Sequence, residues 1–200
     1  ADARGRSLAC VTHQTPTEAF RAARDLLLAH RTDEDAARAA FSWPDVGTRF
    51  NWAVDWFDAI AEGNDRLALW IVDDDGNEWK ITYDEMRRRS NRVANWLIGK
   101  GVRPGDAVII MLDNRWELWE AMLGVMKAGG VILPTSVVLT PRDLAERVDR
   151  SQARAVITDA RTSPRFDAVG GAALRILVDG GLPGWGRWSE VDSAPETAPG

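Results

Sequence analysis

The 200 residues contain one cysteine, Cys10, and two histidines, His13 and His30. A single thiol excludes an internal disulfide. Cys10 and His13 stand at a spacing that metals sometimes use, but two ligands without a second pair make no site. No apolar run approaches the length needed to cross a bilayer, and no basic-then-apolar signal segment opens the chain. A cytoplasmic setting is the expectation. Ala1 stands where a Met would, which suits a piece of a longer protein. The net charge of -5 is mild, and basic residues alternate with acidic ones along the chain, so no nucleic-acid surface is expected. A phosphate loop is missing too. Gly99-Lys100-Gly101 follows a helical pattern and lacks both the Gly four residues upstream and a Ser or Thr beside the Lys, so it is a helix-ending turn. The acidic run Asp73-Asp74-Asp75-Gly76-Asn77 lacks the regular oxygen ladder and closing Glu of a calcium loop, and is expected to be a solvated turn.

What is present is a core-forming composition, 45% apolar, with ten tryptophans. Their spread along the chain points to packing, since each can bury on the order of 150–250 Å². The organising stretch is Gly105 to Thr158. Three Val- and Ile-rich runs, Ala107–Leu112, Gly130–Leu133 and Ala153–Thr158, are separated by two segments of helical period. That alternation predicts a βαβαβ unit with parallel strands. Val108–Leu112 is apolar at every position, as a strand covered on both faces must be. The fold class is therefore α/β, a parallel-stranded layered sheet with helices on both faces. Asn114 with Glu117 is expected to cap the first helix and Gly129 to end it, with Trp116, Trp119, Met122, Leu123 and Met126 on one buried face. Thr140, Pro141 and Asp143 open the second, whose pairs Asp143 to Arg147 and Glu146 to Arg150 imply a wet outer face.

Before this unit, Thr17–His30 and a segment opened by Thr32 or Asp33 predict two short helices, a prefix to the domain. Phe50–Glu62 predicts an amphipathic helix capped by Asn51. Leu67–Val72 and Glu78–Ile81 predict a hairpin, and Thr82 with Glu85 a capping box for a helix ending near Gly99. After Thr158, a short helix within Arg161–Ala168 and a fourth strand, Leu174–Val178, are expected. The domain plan is a tail and helical prefix over 1–49, the main domain over 50–190, and a Pro- and Ala-rich linker over 191–200.

Four pieces in order, GVRPGDAV, the Trp-Glu-Leu-Trp segment leading to GVMKAGGVILPT, LTPRDLAERV and SQARAVIT, are similar to the N-terminal subdomain of the adenylate-forming acyl-CoA synthetases. The medium-chain acyl-CoA and acetyl-CoA synthetase branch matches best, and the upstream runs RFNWAVDWFDAIA and ITYDEMRRRSNRVANWL resemble its lead-in. The resemblance covers most of Phe41–Thr158. It implies an AMP-binding ligase that joins a carboxylic acid to ATP with Mg²⁺, then passes the acyl group to coenzyme A. The family's Ser/Thr/Gly-rich loop ending in Pro-Lys, its ribose-binding acidic motif and its catalytic Lys have no counterpart here, so the chain is expected to be an N-terminal fragment, inactive without the missing C-terminal portion.

The resemblance also implies that Val137, Val138 and Leu139, after Pro134, lie near the coenzyme A path, with apolar side chains where the family has a polar contact. Arg161 and Arg165 lie where acetyl-CoA synthetases place basic residues against the coenzyme's phosphate, and Arg147 in AERV matches a further family position. No catalytic or metal-ligating residue is assigned within the chain. The other function class is a non-catalytic α/β binding module of the same fold. A dinucleotide-binding domain is disfavoured, because the turn after Leu112, Asp113-Asn114-Arg115, has no glycine for close pyrophosphate approach.

Overall fold

The protein is represented by a computed structural model that describes residues 14–199, so Cys10 and His13 lie outside the described residues. The chain divides into two compact units, residues 1–50 and 51–200. In the first, α1 (Pro16–Ala29) opens with a full capping box between Thr15 and Glu18, with Pro16 at the first helical position. Asp33 caps α2 (Glu34–Ala40) by accepting from the Ala36 N–H.

The second unit starts with Asn51, whose side-chain oxygen accepts from the Ala53 N–H while its side-chain amide N–H donates to the Met126 carbonyl. The regular helix expected over Phe50–Glu62 is instead a π-helical stretch, Trp52–Asp58, running into a single α-turn, α3 (Ala59–Ala61). The periodicity of so short a segment does not separate the two windings. β1 (Leu67–Val72) and β2 (Glu78–Thr82) then form an antiparallel hairpin. In its acidic turn, Asp73 accepts from the N–H groups of Asp75 and Asn77 and from the Asn77 side chain, which holds its carboxyl below the usual range. Thr82 caps α4 (Tyr83–Gly99) through the Glu85 N–H, but Glu85 is turned toward Arg89, so the expected box is half made.

β3 (Ala107–Met111), β4 (Val131–Pro134) and β5 (Ala155–Thr158) are parallel in one sheet, as the Val and Ile runs predicted. β6 (Leu174–Leu177) and β7 (Gly186–Arg187) extend it to five strands in the order β4-β3-β5-β6-β7. Between them, α5 (Trp116–Lys127) and α6 (Pro141–Ser151) make the crossovers. Alternation along β3 divides the core. Val108 and Ile110 pack with Val93, Leu97, Ala121 and Val125 of α4 and α5, whereas Ile109 and Met111 pack with Leu144 and Val148 of α6 and with Phe166. The two crossover helices therefore cover opposite faces of the sheet. A third cluster, including Phe57, Ile81, Met86 and Leu123, seats the hairpin and the π-helical segment on α4 and α5.

Three further expectations need correction. The residue before α5 is Arg115, with no side-chain cap; Asn114 does not serve, and Glu117 is held by Arg115. The α5 face against α4 is not the continuous apolar band expected: Glu117, Glu120 and Lys127 are buried while Trp119 is exposed. Tryptophan is also less of a core residue here than its spread suggested. Trp56, Trp96 and Trp188 are buried, but Trp43, Trp52, Trp70, Trp79 and Trp119 are exposed. A smaller departure is on α6, where Asp143 closes a capping box with Thr140 and Arg147 reaches the Pro134 carbonyl at 3.5 Å.

Candidate functional site

In an open parallel sheet, ligands gather where neighbouring strands send their connections in opposite directions, outside the carboxyl ends. Here that place is β3 and β5. The chain leaves β3 toward β4 and leaves β5 toward β6, opening a crevice between Asp113-Asn114-Arg115 and Asp159-Ala160-Arg161. Its floor is tied by hydroxyls: Thr158 donates to the Met111 carbonyl at 2.9 Å, and Thr162 donates to Asp159 at 2.6 Å. Asp179, beyond β6, accepts from the Ala160 N–H at 2.7 Å and from Arg115 at 3.0 Å. Partial burial opposes its charge, but these two donors hold its carboxyl below the ordinary value. Arg115 grips Glu117 through two bonds, 2.6 and 2.7 Å, and this pairing drives its already high pKa higher. Ile71, Val72 and Trp79 of the hairpin overlie the crevice, leaving a cleft of about 290 Å³.

Of the positions singled out in the sequence, Arg165 and the Val137–Leu139 segment are brought together. The Arg165 guanidinium donates to the Leu139 carbonyl at 2.8 Å. Val137 and Leu139 pack partly against the α6-side core, and Val138 between them is 76% exposed. The result is a pinned loop with one apolar tip. Arg161 lies elsewhere, paired with Asp113 and 3.9 Å from Asp159 in the crevice. For a coenzyme thiol arm the loop fits in part. It offers apolar surface at Val138 and a cation at Arg165, although the Leu139 carbonyl is already engaged. Among the described residues, no group of three His, Cys, Asp or Glu side chains could hold a metal ion.

The sequence reading missed a charged layer between α4 and α5. Lys127, with its side chain fully buried, donates to Asp58 at 2.6 Å, Asn91 at 2.7 Å, Ser90 at 2.8 Å and the Arg87 carbonyl at 3.2 Å. Burial pushes the Lys127 ammonium down and the Asp58 carboxyl up. The ammonium's three N–H groups are shared among these four oxygens, so its donors are met inside the fold. Glu120, 2% exposed, accepts from Arg89 at 3.1 Å, and burial carries its carboxyl to about 7. A wider cleft of about 520 Å³ opens beside it, walled by α4, α5 and the turn from Trp188 to Ser193. The available signal was the spacing of Glu117, Glu120, Gly124 and Lys127 on one helical face, opposite the Arg87-Arg88-Arg89 run.

The sequence matches the family described as AMP-binding enzyme over residues 56–196. Among curated relatives, human acyl-coenzyme A synthetase ACSM5, mitochondrial, is 33% identical over 130 residues, covering 62% of this chain and 22% of that protein. The 4-hydroxybutyrate--CoA ligase 1 of Metallosphaera sedula is 31% identical over 153 residues, covering 74% and 27%. Among solved structures, a Brucella canis acyl-CoA synthetase superposes with a TM-score of 0.71 at 22% identity, over 87% of this chain and 32% of that one. A benzoate CoA ligase from Burkholderia xenovorans superposes at 0.61 with 26% identity, over 74% and 29%. The chain thus spans about a quarter of the length of these curated relatives. No helix of the described residues is long and apolar enough to cross a membrane. With a family match across most of its length and the parallel sheet of these ligases in its fold, the chain belongs to the AMP-binding enzyme family.

Proposed function

We propose that the chain is the N-terminal part of an AMP-dependent acyl-CoA synthetase, inactive alone. The observation that supports this most is the family match over residues 56–196, taken with curated relatives of which the chain covers only 22% and 27%. In this reading residues 1–49 are a helical prefix, 50–190 part of the synthetase domain and 191–200 the passage to the phosphate-binding half. The whole enzyme would use ATP, Mg²⁺ and coenzyme A in a cytoplasmic setting. ATP supplies the adenylate that activates a carboxylic acid, and the coenzyme's thiol then receives the acyl group.

This chain's own contribution is a platform and one wall. The doubly covered sheet holds the carboxyl ends of β3, β4 and β5 in fixed register. Beyond β4, Arg165 fixes the Leu139 carbonyl and so presents Val138 outward, beside the path proposed for the coenzyme's pantetheine arm. An apolar tip would exclude water from that arm without competing for its amides. Carboxylate-dependent ATP–pyrophosphate exchange by the longer protein, tried from acetate to aromatic and medium-chain acids, is the direct test. Exchange with at least one acid is expected, and none with any would refute the assignment. In the same protein, Val138→Asp is expected to raise the KM for coenzyme A about tenfold, an effect of about 1.4 kcal/mol, with the KM for ATP much less affected.

A further inference from the structure

β7 runs parallel to its neighbours, so the chain leaves it at the carboxyl ends of the sheet, where the crevice between β3 and β5 also opens. The turn that follows, Trp188–Ser193, is rooted in the core: Trp188 and Val191 belong to the main apolar cluster, and Ala194 packs partly against it. Beyond Ala194 the grip changes in kind. Three successive carbonyls are held by two side-chain amides that stand one turn apart on α4. Asn91 donates to the Glu196 carbonyl at 2.8 Å, and Asn95 donates to those of Pro195 and Thr197, both at 2.9 Å. Arg92 pairs with the Glu196 carboxylate, and Arg88 stands 3.7 Å from it.

Asn91 is oriented by the buried layer beneath it. Its side-chain oxygen accepts from the Lys127 ammonium at 2.7 Å, and an ammonium offers donors only, so the oxygen must face Lys127 and the N–H groups must face the Glu196 carbonyl. Because Asn91 is fully buried, no water can take over either bond. Every residue carries the same backbone carbonyl, so this grip depends on where the segment lies and, Glu196 apart, little on its side chains. Holding three successive peptide units removes backbone freedom that a Pro- and Ala-rich stretch would otherwise keep.

We propose, resting on the reading of the chain as the N-terminal part of a synthetase, that Asn91 and Asn95 are positioning residues for adenylation. By fixing residues 195–197 on α4 they set where the rest of the protein is attached to the platform, and so how its phosphate-binding half meets the carboxyl ends of β3 and β5. Adenylation brings a carboxylate and a triphosphate, both anions, to one place, and a misplacement of about 1 Å in the groups that hold them costs on the order of 10²-fold. Without the α4 grip the last firmly buried anchor is Val191, and the freed stretch widens the range of positions open to whatever follows. The candidate coenzyme loop is pinned separately, by Arg165 on the Leu139 carbonyl, and keeps its geometry.

The test compares the longer protein with its double variant Asn95→Asp, Glu196→Gln, which removes both Asn95 bonds and the ion pairs while leaving the buried Asn91 and Lys127 in place. In carboxylate-dependent pyrophosphate exchange its KM for ATP is expected to rise about tenfold, with the KM for coenzyme A in thioester formation staying within about twofold. Asn95→Gln, which keeps the amide donors, should remain close to the unaltered protein. A purely structural role would lower kcat through the active fraction and leave the KM for ATP unmoved; that result, or an equal rise in both KM values, overturns the proposal. In the 200-residue chain, ¹H–¹⁵N heteronuclear NOE values of residues 196 and 197 should be core-like and fall in the double variant, and values indifferent to it also overturn the proposal. If the unaltered longer protein exchanges pyrophosphate with no acid, the synthetase reading itself falls and takes the positioning role with it; exchange that the variant leaves unchanged sinks the positioning role alone.

Discussion

Single residues in the α4–α5 layer carry the clearest pH signature. Glu120 titrates at about 7 in the fold against an ordinary 4.5, so between these values the folded chain binds more protons than the unfolded one. Stability must then fall as pH rises through that window, with the loss complete above 7, on the order of 3 kcal/mol for a shift of this size. Glu120→Gln should therefore raise the melting temperature at pH 8 and change it little at pH 5; equal gains at both would contradict the assignment. Lys127→Ala leaves Asp58 buried without its cation and is expected to cost about 3–5 kcal/mol in urea unfolding, with part recovered by adding Asp58→Asn. These groups were hard to read in the sequence because a charge buried by its partner looks identical to a charge left in water. Trp119 shows the converse. It sits in an apolar-looking helix, yet it is exposed, because α5 turns Glu120 and Lys127 toward α4.

Elements were far more legible than side-chain environments. The runs that became β3 and β5 were visible because strands covered on both faces need an unbroken apolar sequence, and Thr140-Pro141 marked the start of α6 because a helix's first turn has donors to satisfy. Thr140→Ala should cost about 1 kcal/mol, measured as a shift of the urea midpoint at unchanged slope. The start of α5 was misread, since Asn114 is a good cap by type but Arg115, drawn to Glu117 and Asp179, fixes the entry instead. The approach of α4 to α5 was equally hidden. A Cβ on Gly124 would stand 2.4 Å from Val93 Cγ1, so Gly124→Ala is expected to destabilise by about 1–3 kcal/mol through overpacking, despite alanine's better helix propensity. In the candidate coenzyme loop, the contact between Arg165 and Leu139 joins residues far apart in sequence, and nothing local announces it.

At the scale of the whole molecule, the second unit holds all three apolar clusters. A chain beginning at Asn51 should therefore keep the cooperative transition of the full chain, its melting temperature within a few degrees by circular dichroism. The family resemblance was legible because it rests on ordered pieces, each serving a fold requirement: glycine turns, capped helices and doubly covered strands. Chemistry was not legible to the same degree, because the groups proposed to perform it lie outside these residues.

The strand order bears on how such a chain comes into being during synthesis. β3 lies between β4 and β5, so its apolar backbone can be paired on both edges only after residue 158 has been made, some fifty positions after β3 begins. No tight turn joins any two of these strands. Until that point the face of β3 that carries Ile109 and Met111 lacks Val156 and Phe166, which complete its cover, so the sheet should form late and leave a sticky intermediate in need of shielding at the ribosome exit.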